Sequence, residues 1–486
     1  MADDLQISGG AGGVTASYED MLSYATVLDD AGDDLRAKSG DLGALLVDGD
    51  ILQAAILCPG EVAGVEASIA ATATGPDGAL WTGGELEVTA RFLRTSVTVL
   101  RETDELLAEA EELAWNAAGW AAGALAPAGA LALLAAAASN PALAALLVAN
   151  KDALLSELQE TLYDNPWLLE ALTRMAPGLI QGGAFSLASL LPGGPLALMA
   201  LTDGNWPTGD YASAIAGLLA LANQGGLLAD TGDFRVDPVD GSERPLTIRP
   251  DNALQTIFDE QGKLGAEGSE GQVQVVRIDH GDGPPSWIVQ IPGTQVWDPE
   301  RGDNPVDLTS NANMMAMPDQ TVIEQQVAEA MRQAGIEPGQ DVMLTGHSQG
   351  GITAASMATD PAILEEFHIT SVVTGGSPIG RFDIDDDISV MSLEHLQDVV
   401  PKLDGSDNPD QPNWTTVNRE LSDAEGTDQD GQRGPGAAHS TDNYAATGSD
   451  VDSSTDPGIE QWRRDQEQFF NGTGTRSRYQ ISPEEP

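Results

Sequence analysis

The chain has a single cysteine, Cys58, which excludes an internal disulfide and any zinc site built from cysteines. Its thiol is expected to be a small buried hydrophobe. Basic residues are also scarce: 22 Lys and Arg stand against 76 Asp and Glu, for a formal charge of -54. Such a polyanion is repelled by phosphate backbones and anionic bilayers, so no nucleic-acid partner is expected. The bland reading of this charge is an acidic, salt-adapted proteome. Aromatic residues are 5% of the chain and offer no evident sugar-stacking platform. The opening Met1-Ala-Asp-Asp-Leu-Gln has neither a basic n-region nor an apolar h-region, so no general secretory signal peptide is expected.

What is present divides the 486 residues into several domains, since one core does not serve a chain of that length. Residues 1–14 are Gly-rich and expected to be flexible. Over 15–115, Tyr18, Met21, Leu22, Ala25, Leu28, Ala31 and Leu35 recur at three- and four-residue steps, and Phe92, Leu93, Val97, Leu100 and Leu107 do so later. This periodicity predicts long amphipathic helices, with Trp81-Thr82-Gly83-Gly84 as the break between them. Residues 116–225 are Ala- and Leu-rich, with no charge between Ala114 and Asn150 and a second uncharged stretch from Met175 to Thr202. Alanine and glycine dominate the first, and Pro127 interrupts it. A buried helical hairpin, a lipid-docking pair across 116–202 and a transmembrane anchor all stay open. Residues 226–250 read as linker, 251–472 as an α/β domain, and 473–486 as a flexible tail.

Two long helices around a Trp-x-Gly turn resemble the WXG-type substrates of type VII secretion. The resemblance covers about the first 115 residues and implies an all-α domain and the type VII secretion machinery as a partner. It also implies a leaderless route to the outside or the cell surface, the alternative being the cytoplasm. That family has a Tyr-x-x-x-Asp/Glu element after its second helix; here Leu100 stands at the tyrosine position, ahead of Asp104 and Glu105.

In the α/β region, Gln272–Ile278 alternates as a strand and Ser286–Ile291 is its hairpin partner. Asp341–Thr345, Ile369–Gly376, Ile388–Leu393 and Asn413–Asn418 are further strands, and the sheet is expected to begin antiparallel and become parallel. The segment Gly346-His347-Ser348-Gln349-Gly350-Gly351 follows one of them and precedes a helix-compatible run. This is the context in which a G-x-S-x-G turn holds a serine above a sheet.

A serine hydroxyl needs a base in reach, itself oriented by a carboxylate. Of the five histidines, His347 is inside the elbow and expected to point away, His280 comes before the turn at Gly281, early in the sheet, and His368 precedes a strand at its entry end. His439, in a late loop, is favoured over His395. Asp398 follows a strand and precedes His439, so it is the expected acid. The Gln349 N–H is one expected oxyanion donor, and Thr294, in the loop after Ser286–Ile291, is the second.

These residues resemble the class 3 lipases over about residues 270–450. The matches run in order through Gly293-Thr294, Gly346–Gly351, Gly376-Ser377-Pro378, Asp398-Val399-Val400-Pro401 and His439. Gln349 departs from the leucine usual in that family. The resemblance implies an α/β-hydrolase fold and hydrolysis of carboxylic esters, lipids or phospholipids among them, with no cofactor and no metal. The competing reading is a secretion-associated binding or structural protein whose hydrolase-like domain is inactive.

Overall fold

The structure is a computed structural model, and it describes residues 5–10, 13–75, 77–139, 151–188, 199, 211–266, 268–281, 283–300, 302–316 and 321–484. The chain forms two units, one of residues 14–111 and one of residues 1–13 with 112–486.

The smaller unit is helical: α1 (Val14–Leu45), α2 (Gly49–Leu57), α3 (Pro59–Thr74) and the first part of α4 (Ala79–Ser139). The Trp-Thr-Gly triplet does not form the turn expected of it. Trp81 and Gly83 lie in the opening turns of α4, and the chain reverses earlier, near Gly75 and Gly78. A close helix crossing accounts for the glycine. A Cβ on Gly83 would stand 2.7 Å from the Gly32 carbonyl, and one on Gly32 would stand 2.8 Å from the Gly83 carbonyl. Two mid-helix glycines thus let α1 and α4 touch backbone to backbone. Cys58 is exposed, not buried as expected, because it sits between α2 and α3 and α2 has no buried residue.

The larger unit is mixed α/β. After the remainder of α4 come α5 (Lys151–Asp164), α6 (Pro166–Arg174), α7 (Ala176–Ala188) and α8 (Tyr211–Gln224). Trp120 of α4 meets Phe185 of α7 with ring centroids 6.0 Å apart. Among the described residues no helix is long and apolar enough to cross a membrane. Parts of the uncharged stretches, at 140–150, 189–198 and 200–202, lie outside the described residues.

Among the described residues the sheet has ten strands: β1 (Leu5–Gly9), β2 (Phe234–Pro238), β3 (Arg244–Leu246), β4 (Gln272–Asp279), β5 (Ser286–Ile291), β6 (Asp341–His347), β7 (His368–Gly375), β8 (Ser389–His395), β9 (Trp414–Arg419) and β10 (Thr473–Pro483). Their order is β1-β9-β8-β7-β6-β5-β4-β10-β2, with β3 also on β10. Strands β5 to β9 are parallel, and β4, β10, β2 and β1 join antiparallel. Three expected loops are therefore strands. The flexible N-terminus holds β1, the linker holds β2 and β3, and the flexible tail supplies β10, between β4 and β2.

Period-two alternation fills both faces of the sheet. Val275, Val289, Leu344, Val372 and Val390 face one core, shared with Ile323, Val327 and Met331 of α11 (Val322–Ala334) and Ile352 of α12 (Gln349–Met357). Their neighbours Val276, Ile288, Met343, Val373 and Met391 face the other, with Leu254, Ile257 and Phe258 of α9 (Ala253–Leu264) and Tyr444 of α13 (Thr441–Asp452). A short helix α10 (Leu308–Met315) lies between β5 and α11 in the chain and packs against α12. Parallel register aligns Ile291 with Gly346, His347 with Gly375, and Gly375 with Leu393. The carboxyl ends of β5, β6, β7 and β8 consequently share one edge, where sites on parallel sheets are built.

Candidate active site

Ser348 is the single residue between β6 and α12, and its φ of 56° and ψ of -122° are a conformation that non-glycine residues avoid. Holding it there costs about 1–3 kcal/mol, so the surroundings must enforce it. They do so by close approach. A Cβ on Gly346 would overlap the Gly350 backbone, and one on Gly350 would overlap the Ile291 carbonyl. The Ser348 N–H donates to the Gly375 carbonyl at 3.0 Å, and the Ser377 hydroxyl donates to the Ser348 carbonyl at 2.8 Å. The Gly376-Ser377 turn thus grips the elbow from β7, with Gly376 at a φ of 61°.

The steric limit gives a direct test. Gly350→Ala is expected to cost about 3 kcal/mol or more, because the obstructing atoms are backbone and cannot step aside. Gly436→Ala, where the added methyl meets nothing within 4 Å, should leave the urea midpoint nearly unchanged. Equal midpoints for the two variants would contradict this account of the turn.

Asp398 and His439 come together as expected. The His439 Nδ1–H donates to Asp398 Oδ2 at 2.7 Å, leaving Nε2 with its lone pair. Asp398 is fully buried, and its other donors are the Tyr444 hydroxyl on Oδ2 at 2.7 Å and the Val400 N–H on Oδ1 at 2.9 Å. A buried carboxylate needs such partners. Ser348 is 7% exposed and makes no hydrogen bond to His439; in free enzymes such contacts often close only around substrate.

His347 departs from the expectation that it points away. Its ring lies 4.4 Å from that of His439, and its Nε2–H donates to the His439 carbonyl at 2.9 Å. His395 stacks on Tyr444 with ring centroids 4.0 Å apart, and its Nδ1–H donates to the Ala438 carbonyl at 2.9 Å. Burial first, and the neighbouring His439 second, hold the His347 imidazole well below the usual histidine range. Burial likewise lowers His395 to about 4. Two neutral imidazoles therefore clamp consecutive carbonyls of the His439 loop. Tyr444, held well above the ordinary phenol range by burial and by the Asp398 charge, stays a donor.

Nothing in spacing singled out Tyr444, His347 or His395 as supports, since each acts by a tertiary contact. His280 instead meets Ser286 and the Asn471 carbonyl, and His368 pairs with Asp341, so neither joins the group.

The depressed His395 has a consequence for stability against pH. The unfolded chain binds the proton near the ordinary histidine value and the folded chain only near 4, so acidification between those values favours unfolding. Buried Asp404 and Glu394, each raised to about 7 by burial, act in the opposite sense and are common to any His395 variant. His395→Asn should be less stable than the parent at pH 7.5, and the gap should shrink by about 2–3 kcal/mol at pH 4.5 in urea titrations. A gap independent of pH would refute a neutral, buried His395.

Thr294 leaves the end of β5 one residue after Gly293, whose Cβ, if present, would stand 3.4 Å from the Ser348 Cβ. The Asn311 Nδ2–H donates to the Thr294 hydroxyl at 2.8 Å, which leaves the threonine proton free to point elsewhere. Gln295 fastens this loop by accepting from the Gly271 N–H and from Asn304, and by donating to the Leu264 carbonyl. The Gln349 N–H opens α12, at the positive end of the helix dipole. A strained serine, a histidine oriented by a buried carboxylate, and two donors on neighbouring loops can together activate a hydroxyl and stabilise a developing oxyanion.

No family model, no curated protein and no solved structure matches this chain.

Proposed function

We propose that the chain is a serine ester hydrolase with an α/β-hydrolase domain, acting on carboxylic esters and, among these, on lipids or phospholipids. The observation that carries the reading is the strained Ser348 at the end of β6, on the same sheet edge as the Asp398–His439 pair. In this reading Ser348 Oγ attacks the ester carbonyl while His439 Nε2 takes its proton. Asp398 holds the imidazolium that forms, and the Thr294 hydroxyl with the Gln349 N–H receive the oxyanion. His439 then passes the proton to the leaving alcohol, and water enters to release the acid by the same steps in reverse.

The test is labelling of the full chain with a fluorophosphonate probe, followed by p-nitrophenyl esters of graded chain length and phospholipid vesicles. Labelling at Ser348 with ester turnover is the expected result. A folded protein that neither labels nor turns over any ester is instead the inactive binding or structural protein.

A further inference from the structure

Gln349 is 1% exposed, and neither its Oε1 nor its Nε2 has a hydrogen-bond partner. Among the described residues it is the one side chain with both polar atoms buried and unpartnered. Leaving a buried donor and acceptor unmade is costly, so a carboxamide in this state calls for an explanation. Two more buried atoms without partners, Thr309 Oγ1 and Asn311 Oδ1, lie on α10, the helix that packs against α12. Asn311 is also the residue whose Nδ2 holds the Thr294 hydroxyl. These four unmet atoms thus belong to two packed helices, α10 and α12, that carry or hold the residues read above as oxyanion donors.

We infer that Gln349, supported by Asn311 and Thr309, binds a group on the acyl part of the substrate that both donates and accepts a hydrogen bond, close to the ester carbonyl. A carboxamide with both ends free discriminates by donor count. An alkyl chain satisfies neither end, a carboxylate only the N–H, and an ammonium only the oxygen. A hydroxyl or a secondary amide satisfies both. The substrate class is therefore a hydroxyacyl or amidoacyl ester in preference to a plain alkanoate. This inference rests on the hydrolase reading.

Three p-nitrophenyl esters separate the cases: butyrate, 3-hydroxybutyrate and N-acetylglycinate. The parent protein should favour one or both polar esters over butyrate by roughly tenfold or more in kcat/KM. Which polar ester is favoured tells hydroxyl from amide. In Gln349→Leu, or in Gln349→Met should the leucine variant not fold, that preference should vanish or invert, read as the ratio of kcat/KM for the polar ester to that for butyrate within the same variant. A parent ratio within about twofold of unity, or a preference untouched in the variant, overturns the inference and leaves Gln349 holding water only. Failure of the parent to label overturns the hydrolase reading as well, which distinguishes the two failures.

Discussion

Ser348→Ala is expected to abolish fluorophosphonate labelling and to lower kcat for p-nitrophenyl butyrate by about ten-thousandfold or more, with the melting temperature moved by only a few degrees. In the proposed mechanism, loss of the hydroxyl removes the nucleophile outright, and what remains is the contribution of the proposed oxyanion donors and of binding. The backbone should hold, because the unusual φ of residue 348 is enforced by Gly346, Gly350, Gly375 and Ser377 and not by its own side chain. Activity within tenfold of the parent would place the chemistry elsewhere.

Asp398→Asn should lower kcat by about ten-thousandfold with little change in KM. Its Oδ2 accepts from both the His439 Nδ1–H and the Tyr444 hydroxyl, and its Oδ1 accepts from the Val400 N–H. An asparagine that keeps the Val400 contact turns its amide toward His439. The imidazole must then present a lone pair at Nδ1, its proton moves to Nε2, and the base of the proposed mechanism is lost. Tyr444 can adapt by accepting instead of donating, which keeps the site folded. A loss below tenfold would show that Asp398 is a structural anchor and not the orienting group.

The sequence carried the central strands because their residues alternate between two apolar cores, and that signal is local. It carried the elbow for the same reason: glycines at 346 and 350 are required by contacts within a few residues and with one neighbouring strand. Strand β10 was hidden by its polar face. Arg476 pairs with Glu260, and Arg478 meets Gln274 and Ser269, so a strand inside the sheet reads as a soluble tail. The triplet Trp81-Thr82-Gly83 misled in the opposite direction, since a glycine that serves a helix crossing looks identical to one that serves a turn. Supports such as Tyr444 and His395 have no local pattern at all. They become visible only when α13 lies against β8.

Strand β10 also sets an order of events. It fills the gap between β4 and β2, yet it is synthesised after every other strand of the sheet. Until Thr473–Pro483 has left the ribosome, both neighbours present bare edges, the kind of surface on which nascent chains pair with one another. A truncation placed before Thr473 to trim what looks like a tail would freeze the protein in that state. It should yield inclusion bodies where the full chain yields soluble protein.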